Sequence, residues 1–210
     1  MRTVIFDLDG TLVDTGRDLS ISINHIRREI YGLPPLPEEK IVELMNRPGL
    51  NLAYEFYGVE RYEDRARELF EEHYAAQCIK NAVCFDGIRE LLHSLANEGV
   101  EMFVATNAPT ATSLIILENN GIDALFTDVV GADRVTNAKP HPEMLEMIIS
   151  KRGKELCWMV GDSLKDVMAA RSAGVVPVFA EWGFAKSLPA VDGVEKRAEV
   201  PADVFDIVTV

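Results

Sequence analysis

Short runs of apolar and β-branched residues alternate with amphipathic patterns over most of the chain. The apolar runs cover residues 3–8, 100–106, 158–161 and 175–180, with a weaker run near 127–130. Runs of this length, bounded by turn residues, predict buried β-strands. Apolar residues with helical spacing follow at 88–97, 112–120, 142–151 and 164–173, each close to a glycine that favours a helix end. The alternation predicts an α/β fold, a doubly wound, Rossmann-like parallel sheet with helices on both faces.

Residues 15–82 interrupt this alternation. They hold helical patterns near residues 19–30, 38–45, 50–56 and 62–76, and no convincing strand pattern. We therefore predict an all-helical domain at residues 15–82, inserted into an α/β core domain that consists of residues 1–14 and 83–210. Gly16 and residues 81–87 are the predicted hinges between the two parts.

Composition and charge limit the partners that the chain can have. With 210 residues and 48% hydrophobic content, it can bury one good core plus a smaller one. The formal net charge of −13 and the lack of a basic run argue against binding to nucleic acid. No apolar run approaches the ~20 residues of a membrane span, and the N-terminus has no signal-peptide pattern. Three cysteines without metal-binding spacing suit the cytoplasm, and the oligomeric state stays open.

Acidic residues follow two of the predicted strands, at the edge where α/β proteins bind their ligands. Asp7 and Asp9 are two residues apart after the first strand, so on an extended backbone they share a face and repel each other unless a cation lies between them. Asp162 and Asp166 follow a later strand. Carboxylate ligands of this kind indicate Mg²⁺. An acidic pair of this kind, taken alone, is more often part of a turn or a helix cap.

Three further polar residues lie at predicted strand or helix ends. Thr106 and Asn107 offer a hydroxyl and backbone N–H groups where a phosphate oxygen can bind, although a helix cap is the ordinary role of such a pair. Lys139 precedes Pro140, which restricts its backbone, and a solvated surface lysine is the ordinary alternative. The conjunction of acids, hydroxyl and lysine in this order is what indicates a common site.

Four stretches, in order, resemble the signature motifs of the haloacid dehalogenase superfamily of hydrolases. They are DLDGT at residues 7–11, ATN at 105–107, AKPHPE at 138–143 and GDSLKD at 161–166. The chain is most similar to the phosphoglycolate phosphatase-like branch, whose members carry a helical cap where this chain has its insertion. That branch often has a Trp-Gly-aromatic stretch, which matches Trp182, Gly183 and Phe184.

The resemblance implies a phosphatase that forms an aspartyl-phosphate intermediate. In this family Asp7 would be the nucleophile, and Asp9 would be the general acid and then the base that activates water. Mg²⁺ would bind to the Asp7 carboxylate, the Asp9 backbone carbonyl and Asp162, with support from Asp166. Three residues would hold the phosphoryl oxygens: Thr106, the backbone of Asn107, and Lys139.

The substrate and the reaction class are less determined. Arg47 lies where related caps carry a substrate loop, so it is a candidate for binding a carboxylate or a second phosphate, and an exposed arginine without a role is the alternative. We expect a small phosphorylated metabolite, with phosphoglycolate first. The alternatives are a sugar phosphomutase resembling β-phosphoglucomutase and a non-enzymatic phospho-receiver. The intact pair of Asp7 and Asp9 makes dehalogenation a remote option.

Overall fold

The centre of the fold is a parallel sheet, seen in a computed structural model that describes residues 2–150, 156–184 and 193–210. Within these residues the main sheet has six strands, in the order β5-β4-β1-β6-β7-β8, and every pairing in it is parallel. Strands β2 and β3 form a separate antiparallel pair. In chain order the strands are β1 (Thr3–Phe6), β2 (Val13–Asp14), β3 (Val83–Cys84), β4 (Glu101–Ala105), β5 (Asp128–Val130), β6 (Cys157–Gly161), β7 (Val176–Ala180) and β8 (Lys196–Ala198).

Helices cover both faces of this sheet, as the sequence predicted. The side chains of β1 alternate, so that Val4 and Phe6 join one apolar cluster and Ile5 joins the other. The first cluster includes residues of α5 (Ile88–Asn97), α6 (Thr110–Asn119) and α9 (Pro201–Thr209), and the second includes residues of α7 (Glu143–Ile149) and α8 (Leu164–Ala173). In the described ranges, none of the helices has both the length and the apolar character that a membrane span requires.

Four helices lie between β2 and β3, and they form the inserted helical segment of the fold. They are α1 (Gly16–Glu29), α2 (Glu38–Asn46), α3 (Leu52–Tyr57) and α4 (Asp64–Gln77). Their apolar faces bury a separate cluster that includes Ile23, Ile41 and Phe56. The domain limits at residues 14 and 83 stay a prediction. The term "helical segment" below means residues 16–77.

One buried carboxylate joins the two ends of the helical segment. Asp18 lies in the first turn of α1 and is fully buried. It accepts hydrogen bonds from the Gln77 side chain (2.8 Å), from both the backbone N–H (2.9 Å) and the side chain (2.5 Å) of Asn81, and from the Ala82 N–H (2.9 Å). These donors come from the end of α4 and from the connection that follows it. Asp18 therefore fixes the start of the segment against the chain that returns from it.

The boundaries differ from the predictions where turns replace regular structure. The strand predicted at residues 3–8 ends at Phe6, because the Leu8 carbonyl accepts three N–H groups of the following turn, from Thr11, Leu12 and Val13. The helix predicted at 142–151 is described over Glu143–Ile149, and its predicted end at Lys151 lies outside the described residues. Three of the described strands and one α-helix had no counterpart in the sequence analysis: β2, β3, β8 and α9.

Candidate active site

The carboxyl ends of three neighbouring strands bring the predicted motifs to one edge of the sheet. Asp7 directly follows β1, and its backbone N–H donates to the Val160 carbonyl of β6 (2.9 Å). Thr106 follows β4, and Asp162 follows β6. The strand order turns at β1, because β4 and β5 lie on one side of it and β6 and β7 on the other. Doubly wound sheets bind their ligands in the crevice at such a point.

Three carboxylates at this edge lie close enough to share a cation. Asp7, Asp162 and Asp166 each offer an oxygen within 4.8 Å of the others. Burial, and then the charges of Asp7 and Asp166, raise the pKa of Asp162 well above its usual value. Asp162 Oδ1 accepts a hydrogen bond from the Thr11 hydroxyl (3.3 Å), whereas its buried Oδ2 has no partner among the described residues. An oxygen-only donor set with an orphaned buried carboxylate oxygen fits Mg²⁺.

Lys139 lies buried between two of these carboxylates. Its Nζ is 2.9 Å from Asp7 Oδ1 and 2.5 Å from Asp166 Oδ1. Burial alone would lower the pKa of Lys139, but the charges of Asp166 and Asp7 outweigh it and raise the pKa, so the ammonium stays charged. The Asn107 side chain holds the backbone of Lys139 by two hydrogen bonds, one to its carbonyl (2.8 Å) and one from its N–H (3.0 Å). Asn107 therefore orients Lys139 through its side chain.

Asp166 is engaged on both of its carboxylate oxygens. While Oδ1 contacts Lys139, Oδ2 accepts from the N–H (3.1 Å) and the hydroxyl (2.5 Å) of Ser163. Ser163 and Asp166 close the first turn of α8 in this way. This arrangement fits a supporting position beside the acidic cluster, because the side chain is held from two directions.

The two aspartates of the first motif have different surroundings. Asp7 pairs with Lys139, whereas Asp9 accepts hydrogen bonds from two hydroxyls, from Thr15 at 2.5 Å and from Thr106 at 3.4 Å. Burial is the largest cause that raises both pKa values, and it raises the pKa of Asp7 to about 7, with a further contribution from the charge of Asp166. Asp9 can therefore hold a proton more readily than a solvated aspartate, in a position fixed by two hydroxyl groups.

A cavity of about 250 Å³ opens above these residues, between the sheet edge and the helical segment. The helical segment contributes mostly apolar side chains to it, among them Leu52, Phe70 and Tyr74. The polar wall on the core side contains most of the predicted site residues: Asp7, Asp9, Thr106, Asn107, Lys139 and Asp166. Asp162 lies beside this wall through its contact with the cluster of Asp7 and Asp166.

The Trp-Gly-aromatic stretch packs directly on the first motif. Trp182 Nε1 donates to the Thr11 carbonyl (2.9 Å), and Phe184 lines the cavity. Gly183 lies so close to Gly10 that an added Cβ would be 1.5 Å from the Gly10 carbonyl oxygen. Only a glycine fits at this contact, which holds the loop that carries Asp9 against the core.

One predicted site residue lies away from the cavity, and two residues that contact the site were not predicted as site residues. Arg47 is exposed and pairs with Glu43 of α2, and it is not part of the described cavity wall. The missed residues are Thr15, which holds Asp9, and Lys165, which lines the cavity from α8. Thr15 carries no sequence signal, since a threonine before a helix is ordinary, and Lys165 lies inside the GDSLKD stretch but had no role assigned to it. The roles of all these residues, including a metal contact by the Asp9 backbone, stay predictions.

Known proteins are similar to this chain in both sequence and fold. The model of the family described as haloacid dehalogenase-like hydrolase matches residues 4–180. A phosphoglycolate phosphatase of Rhodospirillum rubrum is 35% identical over 197 residues, covering 88% of this chain and 81% of the relative. An N-acetylmuramic acid 6-phosphate phosphatase of Pseudomonas aeruginosa is 28% identical over 214 residues, covering 99% of this chain and 94% of the relative.

A solved structure extends this likeness to three dimensions. It is described as a predicted phosphoglycolate phosphatase from Haemophilus somnus 129PT, with 28% identity, a TM-score of 0.81, and coverage of 99% of this chain and 97% of that one. The prediction of an enzyme that hydrolyses phosphoric monoesters is thereby confirmed at the level of class. The chain belongs to the haloacid dehalogenase-like hydrolases, as its four motifs predicted.

Proposed function

We propose that this protein is a Mg²⁺-dependent phosphatase that hydrolyses a small phosphomonoester through an aspartyl-phosphate on Asp7. The observation that carries the proposal is the contact of Asp7 with the buried Lys139, inside a cluster of three carboxylates at the floor of one cavity. An anionic attacker and a fixed cation thus lie side by side, which phosphoryl transfer requires. Bound Mg²⁺ would supply a Lewis acid that neutralises charge on the phosphoryl oxygens.

Asp7 is the nucleophile in this proposal. A carboxylate oxygen of Asp7 attacks phosphorus, and the bond from phosphorus to the ester oxygen breaks. Lys139 neutralises the phosphoryl oxygens as charge spreads over them, and its direction is set by the Asn107 side chain. The Thr106 hydroxyl is a further contact that we assign to the phosphoryl group, and it lies 3.4 Å from Asp9.

Asp9 moves the proton in both half-reactions. Its raised pKa, which comes mainly from burial, supports a protonated form that gives its proton to the leaving alkoxide. The carboxylate that results then takes a proton from water, which attacks phosphorus and releases Asp7 and inorganic phosphate. The Thr15 hydroxyl keeps Asp9 in one place during both steps, while the single O–H of Thr106 turns from Asp9 to the phosphoryl group when the substrate binds.

The substrate is a small phosphorylated acid in this proposal, with phosphoglycolate as the first compound to test. The support comes from two sources. The curated relatives are named for phosphoglycolate and for N-acetylmuramic acid 6-phosphate, and both compounds are phosphomonoesters of a carboxylic acid. The cavity volume of about 250 Å³ suits a small molecule.

The test compares the wild type with Asp7→Asn on a panel of phosphomonoesters. We expect steady release of phosphate by the wild type, loss of that release in EDTA, and no turnover by the variant, because an amide does not attack phosphorus. A cooperative thermal melt of the variant checks that it is folded. A single stoichiometric labelling without turnover would indicate a phospho-receiver, and transfer of phosphate to a second sugar hydroxyl would indicate a mutase. Near-normal turnover by Asp7→Asn would refute the mechanism.

A further inference from the structure

A second lysine reaches the cavity, and the mechanism above does not use it. Lys165 extends from the first turn of α8, is partly buried, and lines the same cavity as Asp7 and Asp9. Its Nζ donates to the backbone carbonyl of Met45 (2.6 Å). Because Met45 belongs to α2, the ammonium lies where the core faces the helical segment. Lys139, in contrast, lies at the floor among the carboxylates.

The contact that Lys165 makes leaves much of its capacity unused. An ammonium group carries three N–H donors. Within the described residues, the one hydrogen bond found for Lys165 is the one to Met45, and no carboxylate forms an ion pair with it. The Met45 carbonyl belongs to the last turn of α2, where carbonyls lack N–H partners from their own helix. Lys165 therefore holds a neutral acceptor at a position where a charged acceptor would bind more strongly.

Much of the cavity wall is apolar, so a second negative charge on the substrate would need a cation of the wall as its partner. Side chains such as Leu52, Phe70 and Phe184 make much of the wall apolar, and an anionic group buried against them costs free energy unless it is paired. Lys139 is already engaged by two carboxylates at the reacting end. In the described part of the cavity wall, Lys165 is the other basic side chain.

We propose that Lys165 is a specificity-determining residue that binds a carboxylate on the substrate. The carboxylate replaces or joins the Met45 carbonyl as acceptor, so that phosphomonoesters of small carboxylic acids are preferred over neutral ones. The inference rests on the proposed function, which it deepens by assigning the substrate class to one side chain. It also transfers the role considered for Arg47, which pairs with Glu43 outside the cavity wall, to a residue of the core.

The decisive experiment pairs Lys165→Met with two matched substrates, 2-phosphoglycolate and ethyl phosphate, which differ by the carboxylate. A charged hydrogen bond corresponds to a factor of about 10–100, so kcat/KM for phosphoglycolate should fall by about that much in the variant, mainly through KM. For ethyl phosphate, kcat/KM should change less than about threefold in Lys165→Met. Lys165→Arg should keep part of the preference for phosphoglycolate over ethyl phosphate. Lys40→Met, on the exposed side of α2, is the matched control and should keep the full preference.

The competing outcomes are distinct. An equal loss on both substrates would mean that Lys165 only holds α2 against the core, and would overturn the inference while the phosphatase stands. Loss of the preference in Arg47→Met but not in Lys165→Met would overturn it in favour of Arg47.

Calorimetric binding of phosphonoacetate and ethylphosphonate, which are not hydrolysed, gives the same comparison without turnover. A wild type that binds phosphonoacetate through Lys165 but hydrolyses nothing would remove the proposed function and keep the inference. Equal affinity of wild type and Lys165→Met for phosphonoacetate would overturn the inference.

Discussion

Mg²⁺ should raise the melting temperature of the wild type, and Asp162→Asn should abolish that rise. Asp162 carries a fully buried carboxylate whose Oδ2 has no partner among the described residues, close to the carboxylates of Asp7 and Asp166. A cation at this cluster binds the folded chain, because only folding brings the three carboxylates together. A ligand at 100 times its Kd stabilises the folded state by about 2.7 kcal/mol. For a chain of this length, each kcal/mol corresponds to about 2–4 °C, so the expected rise is about 5–10 °C.

The same variant should be more stable than the wild type in EDTA. The substitution replaces a carboxylate, whose ionisation is opposed by burial and by the charges of Asp7 and Asp166, with a neutral amide, and it removes an unsatisfied oxygen of a kind that costs about 1–3 kcal/mol. The neutral asparagine amide is also not repelled by the carboxylates of Asp7 and Asp166, which lie in the same cluster. The variant thus gains stability without metal and loses the response to metal.

Calorimetric melts with Mg²⁺ or EDTA at equal ionic strength measure both effects. Asp206→Asn, at an exposed position of α9, is the matched control and should respond to Mg²⁺ as the wild type does. An Asp162→Asn protein that gains as much from Mg²⁺ as the wild type would refute the assignment of the cation to this cluster. So would a wild type with no response at all.

Three further predictions follow from neighbouring contacts. Burial raises the pKa of Asp7 from 3.8 to about 7, so folding takes up a proton at Asp7 between these pH values. The metal-free wild type should therefore lose stability relative to Asp7→Asn as pH rises from about 4 to about 7. Melts of both proteins in EDTA across this range test this, and a constant difference between their melting temperatures would contradict it. Thr15→Val removes a hydrogen bond that lowers the pKa of Asp9. We therefore expect kcat to fall at least about tenfold and the alkaline limb of the pH–rate profile to move to higher pH. An unshifted limb would mean that Thr15 has no part in proton transfer by Asp9. Gly183→Ala should lower the free energy of unfolding by about 1–3 kcal/mol, because the new Cβ meets the Gly10 carbonyl, and activity should fall with it. Urea unfolding measures the change. An unchanged free energy of unfolding would mean that residues 183 and 10 are not in close contact.

The regular part of the fold could be read from the sequence because its elements are long enough to show a period. The helices at residues 88–97 and 164–173 were predicted to the residue, since their apolar spacing persists over several turns. Strands β2 and β3 have two residues each, and two residues carry no period. Helix α9 did carry a readable start signal, with Pro201 in its first turn and Asp203 accepting from the Val200 N–H, but its short apolar pattern did not stand out.

The chemical residues divide in a similar way. Asp7 and Lys139 could be found because they belong to motifs, and the fold then explains why residues so far apart in sequence touch. Thr15 lies outside the motifs and Lys165 lies inside one, but their contacts with Asp9 and with the Met45 carbonyl depend on distances that only the folded chain defines. Arg47 illustrates the converse: a charged residue at a suggestive position forms a local ion pair with Glu43 four residues earlier.

The joined ends of the helical segment have a consequence for how such an enzyme can diversify. The strands that flank the segment, β2 and β3, are hydrogen-bonded to each other, and Asp18 ties the two connections together just beyond them. A replacement segment of any length that begins after β2 and ends before β3 leaves the order of the strands in the main sheet unchanged. The apolar side of the cavity wall, which comes from the helical segment, can therefore change while the strands that precede Asp7, Thr106 and Asp162 keep their places.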